Sequence, residues 1–241
     1  MTTDLSESFG YQSVTPEERE QRIRQVFDAV APRYDLMNDV MSFGIHRLWK
    51  RGMAKAARLL AGQVIVDLAG GTGDVARLMT GEGRRVVVCD PSKEMMAVGQ
   101  TRSQGTGIEF VEGKAEAMPF ADNSVDTLTI AFGLRNATNP EAGLAEIFRV
   151  LKPGGRFLCL EFSRPWALIR PFYDAYSFMV IPRLGAWVAR QPMAYGYLVE
   201  SIRRVPHQRE MASLMTSAGF EQVEWRNLSA GIACLHQGAK P

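Results

Sequence analysis

The sequence has little of what a disulfide-bonded or membrane-spanning protein needs. Its 241 residues include only 3 cysteines, which lie far apart at Cys89, Cys159 and Cys234. This spacing excludes a disulfide framework and a zinc site of the Cys-x-x-Cys type, and it favours a reducing compartment. The most apolar part of the C-terminal half, residues 178–181, falls far short of the ~18 apolar residues of a membrane span.

The sequence also lacks a large excess of one charge, since 28 basic and 26 acidic side chains leave a formal net charge of +2. So small a charge argues against nucleic acid as a partner. Residues 1–61 carry 9 basic and 8 acidic side chains, residues 62–161 carry 10 and 13, and residues 162–241 carry 9 and 5. The basic C-terminal third suits an anionic membrane surface or ordinary solvated charge. The opening MTTDLSESFG has no basic segment before an apolar one, so we expect no secretory signal and a cytoplasmic location.

What is present indicates one soluble domain of 241 residues with a full-sized core, at 46% hydrophobic and 22% charged residues. Four segments are predicted: an N-terminal helical cap at 1–61, a ligand-binding core at 62–162, a helical insertion at 163–206, and a helix with a β-hairpin at 207–241. In the cap, residues 15–18 (Thr-Pro-Glu-Glu) form a capping box, and apolar residues follow at helical spacing. Residues 34–50 predict short helices separated by a turn.

From residue 63, short apolar runs alternate with helical segments, which is typical of a parallel β-sheet covered on both faces. Strands are predicted at 64–68, 86–90, 108–111, 125–132 and 155–162, and helices at 74–80, 92–102 and 140–151. The insertion is rich in aromatic residues, arginine and proline, and it predicts no strand. After a helix near 207–217, runs at 222–227 and 231–236 predict an antiparallel hairpin on the sheet edge.

A glycine-rich loop, Ala69-Gly70-Gly71-Thr72-Gly73, follows the first strand, between Asp67 and Asp74. Its glycines let the backbone approach a ligand at a helix N-terminus, and Asp90, ending the next strand, is placed to accept both hydroxyls of a ribose. The loop departs from the GxGxxG dinucleotide pattern, and Asp74 would repel a pyrophosphate. A cationic or zwitterionic ligand suits the loop better, which indicates S-adenosylmethionine (SAM).

Two further segments complete a pattern: Lys114-Ala115-Glu116 after the third strand and residues 150–155 (VLKPGG) before the fifth. With the loop and its acids, they resemble the motifs of class I SAM-dependent methyltransferases over about residues 62–162. The resemblance implies an α/β, Rossmann-like fold with a seven-stranded, mostly parallel sheet and a reversed last strand, to which this chain adds N-terminal helices and the insertion. It also implies SAM as methyl donor and no metal.

The outer segments narrow the resemblance. Phe9-Gly10-Tyr11, the run from Tyr34 to Lys50, residues 131–138 (AFGLRNAT) and residues 174–178 (DAYSF) are similar to the ubiquinone/menaquinone biosynthesis C-methyltransferase family. The likeness spans nearly the whole chain. It implies methylation of a ring carbon on a polyprenylated benzoquinol of the 2-polyprenyl-6-methoxy-1,4-benzoquinol type, and in some members on a demethylmenaquinol.

This resemblance implies a set of cofactor-binding residues. They are Asp67, Gly71, Thr72, Gly73, Asp90, Lys114, Ala115 and Ala131. Serine is also found in the family where this chain has Ala131, so only a backbone contact is expected there. Lys114 is expected to bind through its backbone while its side chain points to solvent.

Methyl transfer to carbon needs an electron-rich ring, and a hydroquinone becomes a better nucleophile when one phenol O–H loses its proton. The candidate catalytic residues are Asp74, Arg135 and Asn136, all expected at the carboxyl ends of strands. Arg135 would stabilise the phenolate, Asn136 would orient the hydroxyl or a water, and Asp74 would accept the proton directly or through that water. The alternatives are a helix N-cap for Asp74 and a surface ion pair for Arg135.

Tyr34, Phe132 and Tyr176 are predicted to bind the quinol, although Tyr34 is equally compatible with core packing. His46 is expected to be a packed, hydrogen-bonded side chain rather than a catalyst. The insertion, which includes Trp187, predicts a groove for the isoprenoid tail and a surface facing the inner side of the cytoplasmic membrane, or else a lid or dimer surface. A homodimer and a quinone-biosynthesis complex are further candidate assemblies.

Two other functions stay open: an O- or N-methyltransferase for another lipid or small molecule, and a non-catalytic SAM-binding subunit of a quinone-biosynthesis assembly. The complete set of loop glycines, acids and the Arg135-Asn136 pair argues against a degenerate subunit. Nucleic-acid methylation is disfavoured because FGLRN stands where a DPPY-type motif would follow the fourth strand. The choice between benzoquinol and naphthoquinol depends on pocket shape.

Overall fold

Residues 8–184 and 192–241 are described by a computed structural model. The strands are β1 (Ser8–Phe9), β2 (Gln12–Ser13), β3 (Val64–Leu68), β4 (Arg85–Asp90), β5 (Glu109–Glu112), β6 (Val125–Ala131), β7 (Leu151–Phe162), β8 (Glu221–Leu228) and β9 (Ala233–Ala239). The helices are α1 (Pro16–Val30), α2 (Tyr34–Ser42), α3 (Ile45–Ala56), α4 (Asp74–Met79), α5 (Lys93–Arg102), α6 (Pro140–Val150), α7 (Arg170–Met179), α8 (Ile181–Leu184), α9 (Pro192–Arg203) and α10 (Gln208–Ser217).

Seven strands form the central sheet in the order β5-β4-β3-β6-β7-β9-β8. The pairs among β3 to β7 are parallel, whereas β9 is antiparallel to both β7 and β8. The predicted mostly parallel sheet with a reversed last strand is therefore confirmed, and the hairpin adds β8 as the edge strand. β7 begins four residues earlier than predicted because Leu151 pairs with Val125 before a register shift.

Two hydrophobic clusters lie on opposite faces of this sheet. Val66 and Leu68 belong to one cluster and Ile65 to the other, as expected when successive side chains of a strand alternate between faces. A buried strand covered on both sides has no polar face, which is why the sequence shows continuous apolar runs here.

The N-terminal helices begin as predicted. The Thr15 hydroxyl accepts a hydrogen bond from the Glu18 amide at 3.2 Å, and the Glu18 carboxylate accepts one from the Thr15 amide at 3.3 Å. Phe43 and Gly44 adopt left-handed backbone and separate α2 from α3. The two-residue strands β1 and β2 were not predicted, because so short a ribbon carries no periodic signal.

A third hydrophobic cluster joins the cap to the insertion. Met37 of α2 packs there with Ile181 of α8 and Val199 of α9. The two segments therefore form one helical layer. Within the described part of the insertion every regular element is a helix, while residues 185–191, including Trp187, lie outside the described residues. The division into four segments stays a prediction.

Among the residues that the structure describes, no helix has both the length and the apolar character needed to cross a bilayer.

Candidate active site

The glycine loop links the end of β3 to the start of α4. Gly71 has a φ of +52°, and its amide donates a hydrogen bond to Asp90 Oδ2 at 2.8 Å. A Cβ at this position would lie 2.8 Å from the Cε atom of Met95, so a larger residue would not fit without a shift. Ala69 also has a positive φ although it carries a Cβ, and Phe132 at the end of β6 has the same feature. Such backbone strain is frequently found at functional sites.

Asp90 ends β4 and is almost fully buried. One carboxylate oxygen accepts the Gly71 amide and the other accepts the Ser92 amide, both at 2.8 Å. Burial raises the pKa of Asp90 to about 6, although both hydrogen bonds act to lower it. Because a carboxylate oxygen accepts more than one hydrogen bond, both oxygens can still accept ribose hydroxyls.

Asp67 in β3 is buried beneath the glycine loop and connects the elements around it. Its carboxylate accepts the Thr129 hydroxyl at 2.8 Å and the Ala76 amide at 3.2 Å, which connects β3 to β6 and to α4. Burial raises the pKa of Asp67 to about 7.

A cavity opens beside these residues, and we call it the cofactor cavity. Most of the predicted cofactor residues line it, as do two of the predicted catalytic residues: Asp67, Gly71, Asp74, Asp90, Lys114, Ala115, Ala131 and Asn136. Thr72 and Gly73 do not. The Thr72 side chain instead donates to Asp35 of α2 at 3.1 Å, which holds the helical cap against the loop.

Helix α1 forms part of the wall of the cofactor cavity, which sequence reasoning missed. Glu20, Ile23 and Phe27 contribute to the lining, and the ammonium group of Lys114 lies 3.1 Å from Glu20. The apolar spacing along α1 predicts a buried face but does not distinguish core packing from a ligand wall.

A second cavity, of about 290 Å³, lies between the helical cap and the insertion. We call it the acceptor cavity. Tyr34, Phe132, Arg135 and Tyr176 line it, among mostly apolar neighbours from α1, α2, α3, α8 and α9. Four residues line both cavities: Phe27, Tyr34, Lys50 and Phe132. A ligand in one cavity is therefore separated from a ligand in the other by a single layer of side chains.

Lys50 and Asp74 form an ion pair in this shared region, with 2.6 Å between Nζ and Oδ2. Burial acts to lower the pKa of Lys50, but the Asp74 carboxylate outweighs it and the net shift is upward. Burial likewise acts to raise the pKa of Asp74, but Lys50 outweighs it and the net shift is downward. Both groups are charged at neutral pH, and a carboxylate engaged in this way is a poor proton acceptor.

Arg135 lies in the 3-10 turn 134–136 that follows β6. Its guanidinium contacts Glu161 of β7 at 2.8 Å, and both side chains are buried. The alternative of a surface ion pair is therefore wrong. The same nitrogen, Nη1, also donates to the Phe132 carbonyl, while Nε is buried and has no hydrogen-bond partner among the described residues. A buried donor without a partner calls for an explanation, and a ligand oxygen that reaches it when the acceptor cavity is filled would be one.

Arg19 of α1 holds the turn that carries Arg135 and Asn136 in place. The buried Arg19 guanidinium donates to the carbonyls of Arg135, Asn136 and Ala137 at 3.0, 3.2 and 2.9 Å. The Asn136 side-chain oxygen accepts the Tyr197 hydroxyl at 3.0 Å. Sequence reasoning missed Arg19, because an arginine in a polar first turn of a helix gives no sign of burial.

His46 of α3 lines the acceptor cavity and makes the expected hydrogen bond, with Nδ1 2.7 Å from the Ser42 hydroxyl. Burial, together with the nearby Lys50, lowers its pKa to about 4. The imidazole is therefore neutral at physiological pH.

The sequence model of the ubiE/COQ5 methyltransferase family matches residues 15–240. The chain belongs to this family. Rubrivivax gelatinosus has a family member, named ubiquinone/menaquinone biosynthesis C-methyltransferase UbiE, that is 65% identical over 238 residues, or 99% of this chain and 94% of that protein. The Klebsiella pneumoniae protein of the same name is 47% identical over the whole of both chains.

Solved structures agree with this family in fold. A SAM-dependent methyltransferase of Thermotoga maritima superposes with a TM-score of 0.65 at 21% identity, covering 90% of this chain and 99% of that one. The predicted family, the class I methyltransferase fold and the enzymatic nature of this ubiE/COQ5 family member are confirmed.

Proposed function

We propose that this family member transfers the methyl group of SAM to a ring carbon of a polyprenylated benzoquinol, and of a demethylmenaquinol, in ubiquinone and menaquinone biosynthesis. One observation carries the proposal: a cavity with five carboxylates in its lining, Asp90 among them, shares a wall with a largely apolar cavity. A nucleoside-type donor and a lipid-like acceptor would meet at that wall. The names of the Rubrivivax and Klebsiella relatives support the same reaction.

The residues of the cofactor cavity fit SAM. Asp90 would hold the ribose, Gly71 would bring the loop backbone against the ligand, and the backbone at Ala115 and Ala131 would complete the contacts. Carboxylates outnumber basic groups in the lining: Glu20, Asp67, Asp74, Asp90 and Glu116 against Arg24, Lys50 and Lys114. This excess of acidic groups suits a ligand with cationic groups. When bound, SAM supplies an electrophilic methyl group attached to a sulfonium.

The acceptor ring would lie between Phe132 and Tyr34, beside the shared wall. Arg135 would then donate its orphaned Nε–H to a ring oxygen and stabilise the phenolate that makes the ring carbon nucleophilic. Asn136, whose oxygen accepts the Tyr197 hydroxyl, would use its amide hydrogens to orient the ligands from the cofactor side. Because Lys50 engages Asp74, the role we propose for Asp74 is to keep that wall charged and ordered rather than to accept a proton.

The isoprenoid tail would leave the ring along the insertion. Tyr176 lines the acceptor cavity, and its ring centre lies 6.1 Å from that of Phe43, which is 80% exposed. Phe172, 76% exposed, lies one helical turn from Tyr176 on α7, and Met179 is exposed on the same helix. We infer that this apolar rim contacts the inner face of the cytoplasmic membrane, so that the tail stays in lipid. A homodimer and a larger biosynthetic complex stay predictions.

The quinone profile of a bacterial strain that lacks its ring C-methyltransferase tests the proposal. Such a strain should accumulate quinones lighter by one methyl group, and expression of this chain should restore the methylated ubiquinone, the methylated menaquinone or both. An Asp90→Ala variant expressed at the same level is the matched control. Failure of the folded, SAM-binding wild-type chain to restore either quinone would reject the proposal.

A further inference from the structure

We propose that His46 accepts the proton that the quinol releases during ring methylation. The inference rests on the proposed function and adds a residue to it. In the overall transfer, the ring carbon gains the methyl group, the sulfur keeps the electron pair of the broken S–C bond, and the hydrogen of that ring carbon leaves as a proton. One proton must therefore be taken up for each methyl group transferred.

The acceptor cavity offers a single neutral base among its described residues. Its other titratable side chains are Tyr34, Lys50, Arg135, Tyr173, Tyr176, Tyr195 and Tyr197. The lysine and arginine are paired cations, and burial raises the pKa of Tyr173 to about 12. The other titratable groups of the lining are thus cations and phenols, whereas the imidazole supplies an uncharged basic nitrogen.

The hydrogen bonds around His46 assign its tautomer. The Ser42 hydroxyl lies 2.6 Å from the Asn38 carbonyl and 2.7 Å from His46 Nδ1. A carbonyl only accepts, so the single hydroxyl hydrogen goes to Asn38, and Nδ1–H must donate to the Ser42 oxygen. This assignment leaves the lone pair on Nε2, which makes no hydrogen bond within the described residues.

Charged groups of both signs face the imidazole from three helices. Asp39 of α2 has its Oδ1 3.8 Å from Nε2, and Asp74 of α4 adds a second negative charge. Burial opposes protonation most strongly, and Lys50 and Arg47, on α3 itself, add to this effect, so the resting imidazole is neutral. An imidazolium formed at Nε2 would face the Asp39 carboxylate, which also pairs with Arg47, and its low pKa would return the proton once the product leaves.

The test uses purified enzyme, SAM and a benzoquinol with a short prenyl tail, kept reduced. In His46→Asn the amide nitrogen can replace Nδ1 as donor to Ser42, while the base at Nε2 is lost. We expect its kcat to fall by about 100-fold or more, the low end of what a general base contributes. The quinol KM and the affinity for SAM should stay within about 3-fold of wild type.

Chemical rescue separates a proton acceptor from a packing residue. Imidazole added to His46→Ala should restore kcat in proportion to the concentration of its free base, and His46→Ala without imidazole should stay slow. The matched control is His236→Asn, because His236 is buried and hydrogen-bonded to the Gln208 carbonyl but lines neither cavity. Its kcat should equal that of wild type.

A His46→Asn kcat within about 3-fold of wild type would overturn the inference. A large fall in kcat that imidazole does not rescue in His46→Ala would also overturn it, because the histidine would then act through structure. If the wild-type enzyme itself leaves the benzoquinol unmethylated, the proposed function has failed instead.

Discussion

Replacing Lys50 by methionine removes the cation that separates the two cavities while keeping most of the side-chain volume. The Asp74 carboxylate then loses the partner whose nitrogen lies 2.6 Å away. Removing one member of a fully buried pair costs about 3–5 kcal/mol. Because the Asp74 side chain is 26% exposed, water screens part of its charge, and we expect Lys50→Met to lower the free energy of unfolding by about 2–3 kcal/mol.

The reciprocal change leaves the more deeply buried group without a partner. Asp74→Asn leaves the Lys50 ammonium without its partner. Because the Lys50 side chain is only 6% exposed, we expect the free energy of unfolding to fall by about 3–4 kcal/mol. The double variant has neither charge to desolvate. Its free energy of unfolding should therefore fall by less than the sum of the falls in the two single variants, with a coupling energy of about 2 kcal/mol.

Urea unfolding of the four proteins, followed by circular dichroism, measures these free energies. The pKa of Asp74 lies below its ordinary value of 3.8, so the stabilisation by the pair is present at neutral pH and is lost as the pH falls through the lowered pKa. The difference between wild type and Asp74→Asn should accordingly shrink in acid. If the losses in free energy of unfolding of the two single variants add up to the loss of the double variant within about 0.5 kcal/mol, the two side chains do not interact and the reasoning is refuted.

Two other substitutions test the site. Asp90→Ala should abolish SAM binding in calorimetry while the protein stays folded, because both oxygens that can accept ribose hydroxyls are lost; retained binding would contradict that role. Arg135→Lys keeps a cation beside the buried Glu161 but removes the orphaned Nε–H, so SAM binding should stay near normal while quinol methylation falls by about 10²–10³-fold. Full activity of this variant would show that Arg135 does not stabilise the phenolate.

Much of the fold could be predicted because the signals are local. The capping box at Thr15, the apolar runs of the strands and the loop glycines each depend on residues adjacent in sequence, and each has one favoured conformation. The position of Asp90 at a strand end was equally predictable, since the carboxyl ends of neighbouring parallel strands meet at one edge of a sheet.

The charge pairings were not predictable in this way. Lys50 and Asp74 are 24 residues apart, and Arg19 is more than 100 residues from the turn that it holds. Their sequence neighbours give no sign of burial, so only packing shows that Asp74 is engaged and that Arg135 lies inside the protein. The hydrogen bond from Thr72 to Asp35 was unpredictable for the same reason, because only packing brings the helical cap against the loop.

The sequence by itself determined the sheet, the glycine loop and the family, because hydrophobic periodicity and turn chemistry act over a few residues. Only the tertiary structure decided which side chains face a ligand. The acceptor cavity is built from the helical cap and the insertion, segments more than 100 residues apart, and a cavity between them exists only once both have packed on the core. The sequence around His46 predicts only a buried, hydrogen-bonded histidine, and it is the packed structure that places this residue in the lining of the acceptor cavity.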